Sequence, residues 1–213
     1  MLFLVFATTQ VALVAYVGPW WIPCAIFGLG YVTAGLAYIT GNPSWLGKRP
    51  DGSISLGALA VSLPFVALVH VAAFVRRMIP DDPWNEVSPD LFVGRRVHSL
   101  PEDISLVVDL TAELPEPLDV RQGRAYRCLP TMDGCASEPM AFWKLVSEVA
   151  AWKGRVYVHC AVGHGRSATF AAAVMIRRGL ASSANDAEAL MRRARPGIEL
   201  KKSQKKLVDA GSP

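Results

Sequence analysis

The stretch VHCAVGHGRSAT, residues 158–169, limits the fold more than any other segment. A β-branched run, RVYVHC, ends on Cys160, and an alanine-rich apolar run opens directly after Arg166. The first predicts a central strand and the second a helix that stops at Gly179. Gly163 and Gly165 lie between them and let the chain curl tightly. The backbone amides of Ala161, Val162, Gly163, His164, Gly165 and Arg166 then form a nest at a helix N-terminus, a place for a tetrahedral oxyanion such as phosphate. Arg166 adds a planar fork of donors that matches two phosphate oxygens. The same positive surroundings make Cys160 a thiolate and a nucleophile, with Ser167 placed to donate to its sulfur. A leaving alkoxide or phenoxide needs a proton. Asp133, in the loop LPTMDGCASEP, is the candidate acid, and Asp109 is its competitor, although Asp109 reads better as a cap or brace of the sheet.

Around this loop the chain alternates strands and helices. LFVGRRV (91–97), SLVVDL (105–110) and AYRCLP (125–130) read as strands. SEPMAFWKLVSEVAAWKG (137–154) has helical spacing, a serine cap and a proline in its first turn. SSANDAEALMRRARPG opens on a capping box, Ser183 and Asp186, and stops at Pro196. The pattern predicts an α/β fold with a mostly parallel sheet flanked by helices.

The first third differs. Met1–Val17 and Trp20–Thr40 carry no charge, and Ile54–Val75 has only His70 as an ionisable group. Runs of this length read as three transmembrane helices, the alternative being a very apolar soluble helical domain. Small residues at Gly30 and Ala34 suit helix packing. Lys48 and Arg49 then flank one membrane face, and Arg76 and Arg77 the other. The organisation expected is a membrane domain over 1–79, a linker over 80–90 and a catalytic domain over 91–213. A reactive thiol favours a reducing compartment, so the protein is expected to be multi-pass with its catalytic domain in the cytoplasm.

Net charge is +4, too small to argue for nucleic acid. Residues 81–139 hold 5 basic against 12 acidic side chains and residues 140–213 hold 13 against 5, so the half with the cysteine loop is positive. The four cysteines show no metal-like CxxC spacing. Cys24 reads as a buried apolar residue, and Cys128 and Cys135 as structural thiols. No metal or cofactor is expected.

HCAVGHGRS fits the pattern H-C-x5-R-[S/T], with an aspartate loop upstream. In this the chain resembles the dual-specificity branch of the cysteine-dependent, protein tyrosine phosphatase superfamily. WNEVSPDLFVGRRV and LVVDLTAE resemble its opening strands and ARPGIEL its closing segment, so the resemblance covers about Trp84 to Leu207. It implies a phosphocysteine mechanism with Cys160 as nucleophile, Arg166 and the loop amides on phosphate, Asp133 as acid, and His159 orienting the loop. The implied substrates are phosphotyrosine, phosphoserine or phosphothreonine on proteins. A lipid phosphate such as phosphatidylglycerophosphate is the alternative. Members that act on phosphoinositides often carry lysines in the loop. Here Ala161 is uncharged and His164 is the one extra ionisable group, which weakens an inositol-lipid reading. Two rivals from other classes are a silent phosphate-binding module and a sulfur-transfer enzyme, in which Asp133 would have no role.

Overall fold

The computed structural model describes residues 9, 21–77 and 82–211. Five strands form one sheet: β1 (Trp84–Ser88), β2 (Leu91–Arg95), β3 (Ile104–Thr111), β4 (Ala125–Thr131) and β5 (Arg155–Cys160). Their order is β1-β2-β5-β3-β4, with β1 antiparallel to β2 and the other pairings parallel. The α/β expectation with a mostly parallel sheet holds. β1 falls inside residues 80–90, where the sequence suggested a linker. Its prolines lie at the ends of the segment, which leaves Trp84–Ser88 free to pair.

Alternation along the central strands sorts the side chains. Leu106, Val108 and Leu110 of β3, with Val156, Val158 and Cys160 of β5, enter one core beneath the helices. Val107 and Tyr157 enter a second core on the opposite face. By the same period of two, Asp109 and His159 lie on that second face and stand opposite each other in register. Cys160 therefore ends its strand on the helical side.

Five helices belong to this domain: α3 (Leu118–Arg121), α4 (Pro139–Ala150), α5 (Arg166–Arg177), α6 (Ala184–Ala194) and α7 (Lys202–Asp209). Phe142 of α4 and Phe170 of α5 meet edge to face at 5.6 Å, and Phe170 is fully buried. Burial of each such side chain contributes about 1.5–3 kcal/mol. The cap of α4 is Glu138, not the serine before it, because its carboxylate reaches the amides of Met140 and Ala141. Ser183 caps α6 as expected, accepting from the Asp186 amide. Asp186 itself turns to the amide and hydroxyl of Ser182, so the reciprocal half of the box is not made.

The N-terminal part folds differently from the three-span expectation. Its first run, residue 9 apart, lies outside the described residues. The second and third form α1 (Trp21–Thr40) and α2 (Leu56–Arg77), joined through a 3-10 turn at Pro43–Leu46. Among the described residues no helix is long and apolar enough to cross a membrane. The two helices pair closely where Gly30 faces Val61 and Pro64; a Cβ there would lie 2.7 Å from the Val61 carbonyl oxygen. The pair packs down on the catalytic domain, with Ala34, Ala37, Leu46 and Phe65 sharing a cluster with Ala112 and Met132.

Lys48 is not a membrane-flanking charge. Its ammonium enters the domain and pairs with Asp109 at 2.5 Å, with both side chains fully buried, and donates to Thr111 at 2.5 Å. The Glu116 amide also donates to the Gly52 carbonyl at 2.8 Å. Removing one partner of a buried pair leaves an uncompensated charge, whereas an exposed charge matters little. Lys48→Ala should lower the unfolding free energy by about 3–5 kcal/mol in chemical denaturation. Arg49→Ala, at an exposed neighbour, should change it by less than about 0.5 kcal/mol. Equal effects would contradict the buried pair.

Candidate active site

β5, the central strand, carries His159 and Cys160 to the carboxyl end of the sheet, and α5 starts at Arg166, so the chain must turn within five residues. Gly163 makes the turn with φ +79° and crosses the end of β2 so closely that a Cβ would lie 2.4 Å from the Gly94 carbonyl carbon and 2.6 Å from the Arg95 nitrogen. Gly165 caps α5 and has room for a side chain, its nearest neighbour lying 3.8 Å from a Cβ. Steric need therefore falls on Gly163 alone.

The Gly163 amide donates to the Cys160 sulfur at 3.2 Å, and the Ser167 hydroxyl lies 3.4 Å from it. Cys160 is 1% exposed, beneath loop neighbours Ala161, Val162 and Arg166, which line a cavity of about 320 Å³. The His164 side chain packs against Gly197 and lines an adjacent cleft with Glu199 and Lys201. Only the His164 backbone remains with the loop.

Arg166 is buried and aimed by Glu113, which accepts from both terminal nitrogens at 2.9 and 2.7 Å. One of these nitrogens also donates to the Thr131 carbonyl at 2.8 Å. The Arg166 Nε is buried and makes no hydrogen bond among the described residues; an Asp133 carboxylate oxygen lies 3.4 Å away. Burial opposes ionisation of Glu113, but Arg166 outweighs it and holds the carboxyl below its usual range. Asp133 is exposed on its loop at the cavity wall. Asp109 is wholly buried and committed to Lys48, the Tyr126 hydroxyl and Thr111, so it braces the sheet and is not free to face the cavity.

Two residues here had little sequence signal. Glu113 stands in LVVDLTAE, but its partner is 53 residues away. Arg195 was legible only as part of ARPGIEL. It is fully buried, and its Nε donates to the Gly163 carbonyl at 2.8 Å, with Asp82 and Asn85 on its far nitrogen. The loop is thus tied from outside by one arginine and lined from inside by another.

A family model for the dual specificity phosphatase catalytic domain matches residues 98–211, more than half of the 213-residue chain. The chain belongs to the dual specificity phosphatase family. It is a cysteine-dependent phosphatase, in line with the geometry around Cys160 and Arg166. Among solved structures, human DUSP28 is similar at 26% identity and TM-score 0.53, over 63% of this chain and 95% of that one. A mouse dual specificity phosphatase, solved with zinc tungstate, matches at 24% and 0.54, over 63% and 89%. PTPMT1, solved with PI(5)P, matches at 20% and 0.54, over 61% and 94%. The two matches under 25% identity bear on the fold.

Behind the phosphatase loop lies a buried polar cluster. His159 stacks on Tyr157, and its Nε2 lies 3.4 Å from Glu116 and 3.9 Å from Asp109. Asp109, Glu116 and His159 bring ligand-type atoms within 4.8 Å of one another, but the Lys48 ammonium already supplies positive charge to Asp109. Among the described residues Cys128 and Cys135 are free thiols, and burial followed by Asp109 pushes Cys128 up to about 12, so it is inert. Burial pushes His159 down to about 4, against the pull of Asp109. Burial, then Asp109, pushes Glu116 up to about 8. Arg96 Nε stands 3.4 Å from Glu116 but spends its hydrogen bond on the Pro115 carbonyl, so it does not reverse that shift.

The folded state therefore keeps a Glu116 proton that the unfolded chain releases above about pH 4.5, and stability falls as pH rises from there toward about 8. At the acid end the unfolded chain protonates His159 below about 6.5 while the folded one resists until about 4, so stability also falls as pH drops through that window. Glu116→Gln removes the first slope and should raise Tm more at about pH 8 than at about pH 5 in thermal melts. An equal gain at both would show that Glu116 is ionised in the fold.

Proposed function

We propose that the chain hydrolyses phosphate monoesters in two steps through a phosphocysteine. The observation that carries this reading is the buried Arg166 guanidinium: Glu113 fixes one edge, and Nε faces Asp133 beside the loop that holds the sulfur. An Arg166 so held keeps its Nε–H and one terminal N–H for two equatorial phosphate oxygens. The loop amides take the rest.

Cys160 attacks phosphorus in line. The S–P bond forms as the ester P–O bond breaks, and Asp133 gives its proton to the leaving oxygen. Asp133, now a carboxylate, takes a proton from water as that water attacks phosphorus. The S–P bond breaks, inorganic phosphate leaves, and the sulfur recovers its negative charge, stabilised by Gly163 N–H and Ser167. His159 supports the strand end from a buried position. Phosphotyrosine, phosphoserine or phosphothreonine on proteins fits this chemistry. A second reading, a lipid phosphate, is favoured by the apolar side chains that the α1–α2 hairpin places in the cavity. PTPMT1 was solved with PI(5)P, but the loop here lacks lysines beside the sulfur.

Cys160→Ser should abolish turnover of p-nitrophenyl phosphate in the full chain while its circular dichroism stays unchanged. Asp133→Asn should slow hydrolysis of an alkyl phosphate about 10²–10⁴-fold and of the p-nitrophenyl ester much less, since nitrophenolate leaves without a proton. Full activity of Cys160→Ser would remove the mechanism, and undiminished alkyl phosphate hydrolysis by Asp133→Asn would remove Asp133 as the acid.

A further inference from the structure

The catalytic cavity has two unlike walls. Glu113, Asp133 and Arg166 supply one, and these are the groups already given to phosphate chemistry. Tyr38, Phe65, Val69 and Ala72 of the α1–α2 hairpin supply the other. We infer that this hairpin selects the substrate: the site takes a phosphate monoester carried on an acyl or alkyl chain, drawn from a bilayer surface, with the chain lying along α2. The inference rests on the phosphocysteine reading above and narrows its substrate class.

Three observations carry it. Among the described residues the hairpin wall holds no charged side chain; its one polar group is the Tyr38 hydroxyl. A peptide substrate brings backbone amides and flanking polar side chains that such a wall leaves unpaired, whereas an aliphatic chain asks only for apolar contact. The wall is also fixed in place, because Phe65 shares a core with Ala112 and Met132 and Lys48 is locked to Asp109. A fixed apolar wall costs a ligand no ordering of the protein. Finally, the apolar surface continues out of the cavity. Leu68 and Val75, four before and three after Ala72 and so beside it on the helix surface, are 50% and 56% exposed. Contiguous exposed apolar surface marks a place where another apolar phase is met. Its continuity with a phosphate-ester cavity points to lipid.

The test uses the full chain and four kinds of substrate. These are n-alkyl phosphates from ethyl to octyl below their micellar range, phosphatidic acid in phosphatidylcholine vesicles, a phosphotyrosine peptide and p-nitrophenyl phosphate. With wild type, kcat/KM should rise about three- to fourfold per added methylene until the wall is covered, the factor expected for burying one CH₂. Phosphatidic acid in vesicles should exceed the peptide by at least about tenfold. Val69→Asp should flatten the chain-length slope and Val69→Leu should keep it; the slope is the readout, not the absolute rate. A flat wild-type series, a preference for the peptide, or a slope that survives Val69→Asp would each overturn the inference. So would sedimentation showing that a second copy covers the strip while the alkyl series stays flat. The wild-type series decides the matter even if Val69→Asp does not fold. Loss of all turnover, p-nitrophenyl phosphate included, would instead mean that the phosphatase chemistry itself fails.

Discussion

The carboxylate of Asp109 is the point on which the parts of this molecule converge. It stands near the end of β3, in register with His159, and accepts from Lys48 of the hairpin loop, Tyr126 of β4 and Thr111 at the end of its own strand. Burial alone would push its proton affinity up, but Lys48 and the surrounding donors hold it ionised. A buried anion without a cation is expensive, so the Lys48 ammonium sits where a purely apolar interface would have done for packing. One ion pair thereby fixes where the hairpin sits relative to the sheet. It also decides which side chains reach the cavity.

The catalytic loop is held by a different logic. Its backbone must pass over β2 at Gly94, and Gly163 lets it do so without a Cβ in the way. Its carbonyls face outward to Arg195 and its Gly163 amide faces inward to sulfur. That division keeps inward amides available to a phosphate and explains why a fully buried arginine lies outside the loop. Glu113 performs the same service for Arg166, taking the edge that phosphate does not need.

Much of this was legible along the chain and some was not. The strand–loop–helix unit around Cys160 showed because β-branched and alanine-rich periods change abruptly within a few residues. Asp133 showed because its loop falls between a strand and a helix. Glu113, Arg195 and Lys48 did not show, since each finds its partner across 32 to 61 residues and no local period records such a pairing. The apolar first third was read for its composition, which is the same whether a helix faces acyl chains or a protein wall. What composition does not record is the place of Lys48. In a membrane reading it flanks a span, and in the fold it is buried against an aspartate 61 residues on.

The two walls of the cavity then follow from these anchors together. Arg166 can offer phosphate only its Nε side, because the other edge is spent on Glu113 and the Thr131 carbonyl. On the proposed mechanism, in-line attack points the leaving oxygen away from the sulfur, toward Asp133, the one exposed acid among the described residues that line the cavity. Whatever that oxygen is attached to must extend past Asp133, and the surface that meets it there is α2, held in place by Lys48. The charge that fixes the hairpin and the apolar residues it carries are therefore parts of one device, in which a buried ion pair positions a greasy wall opposite a phosphate cradle.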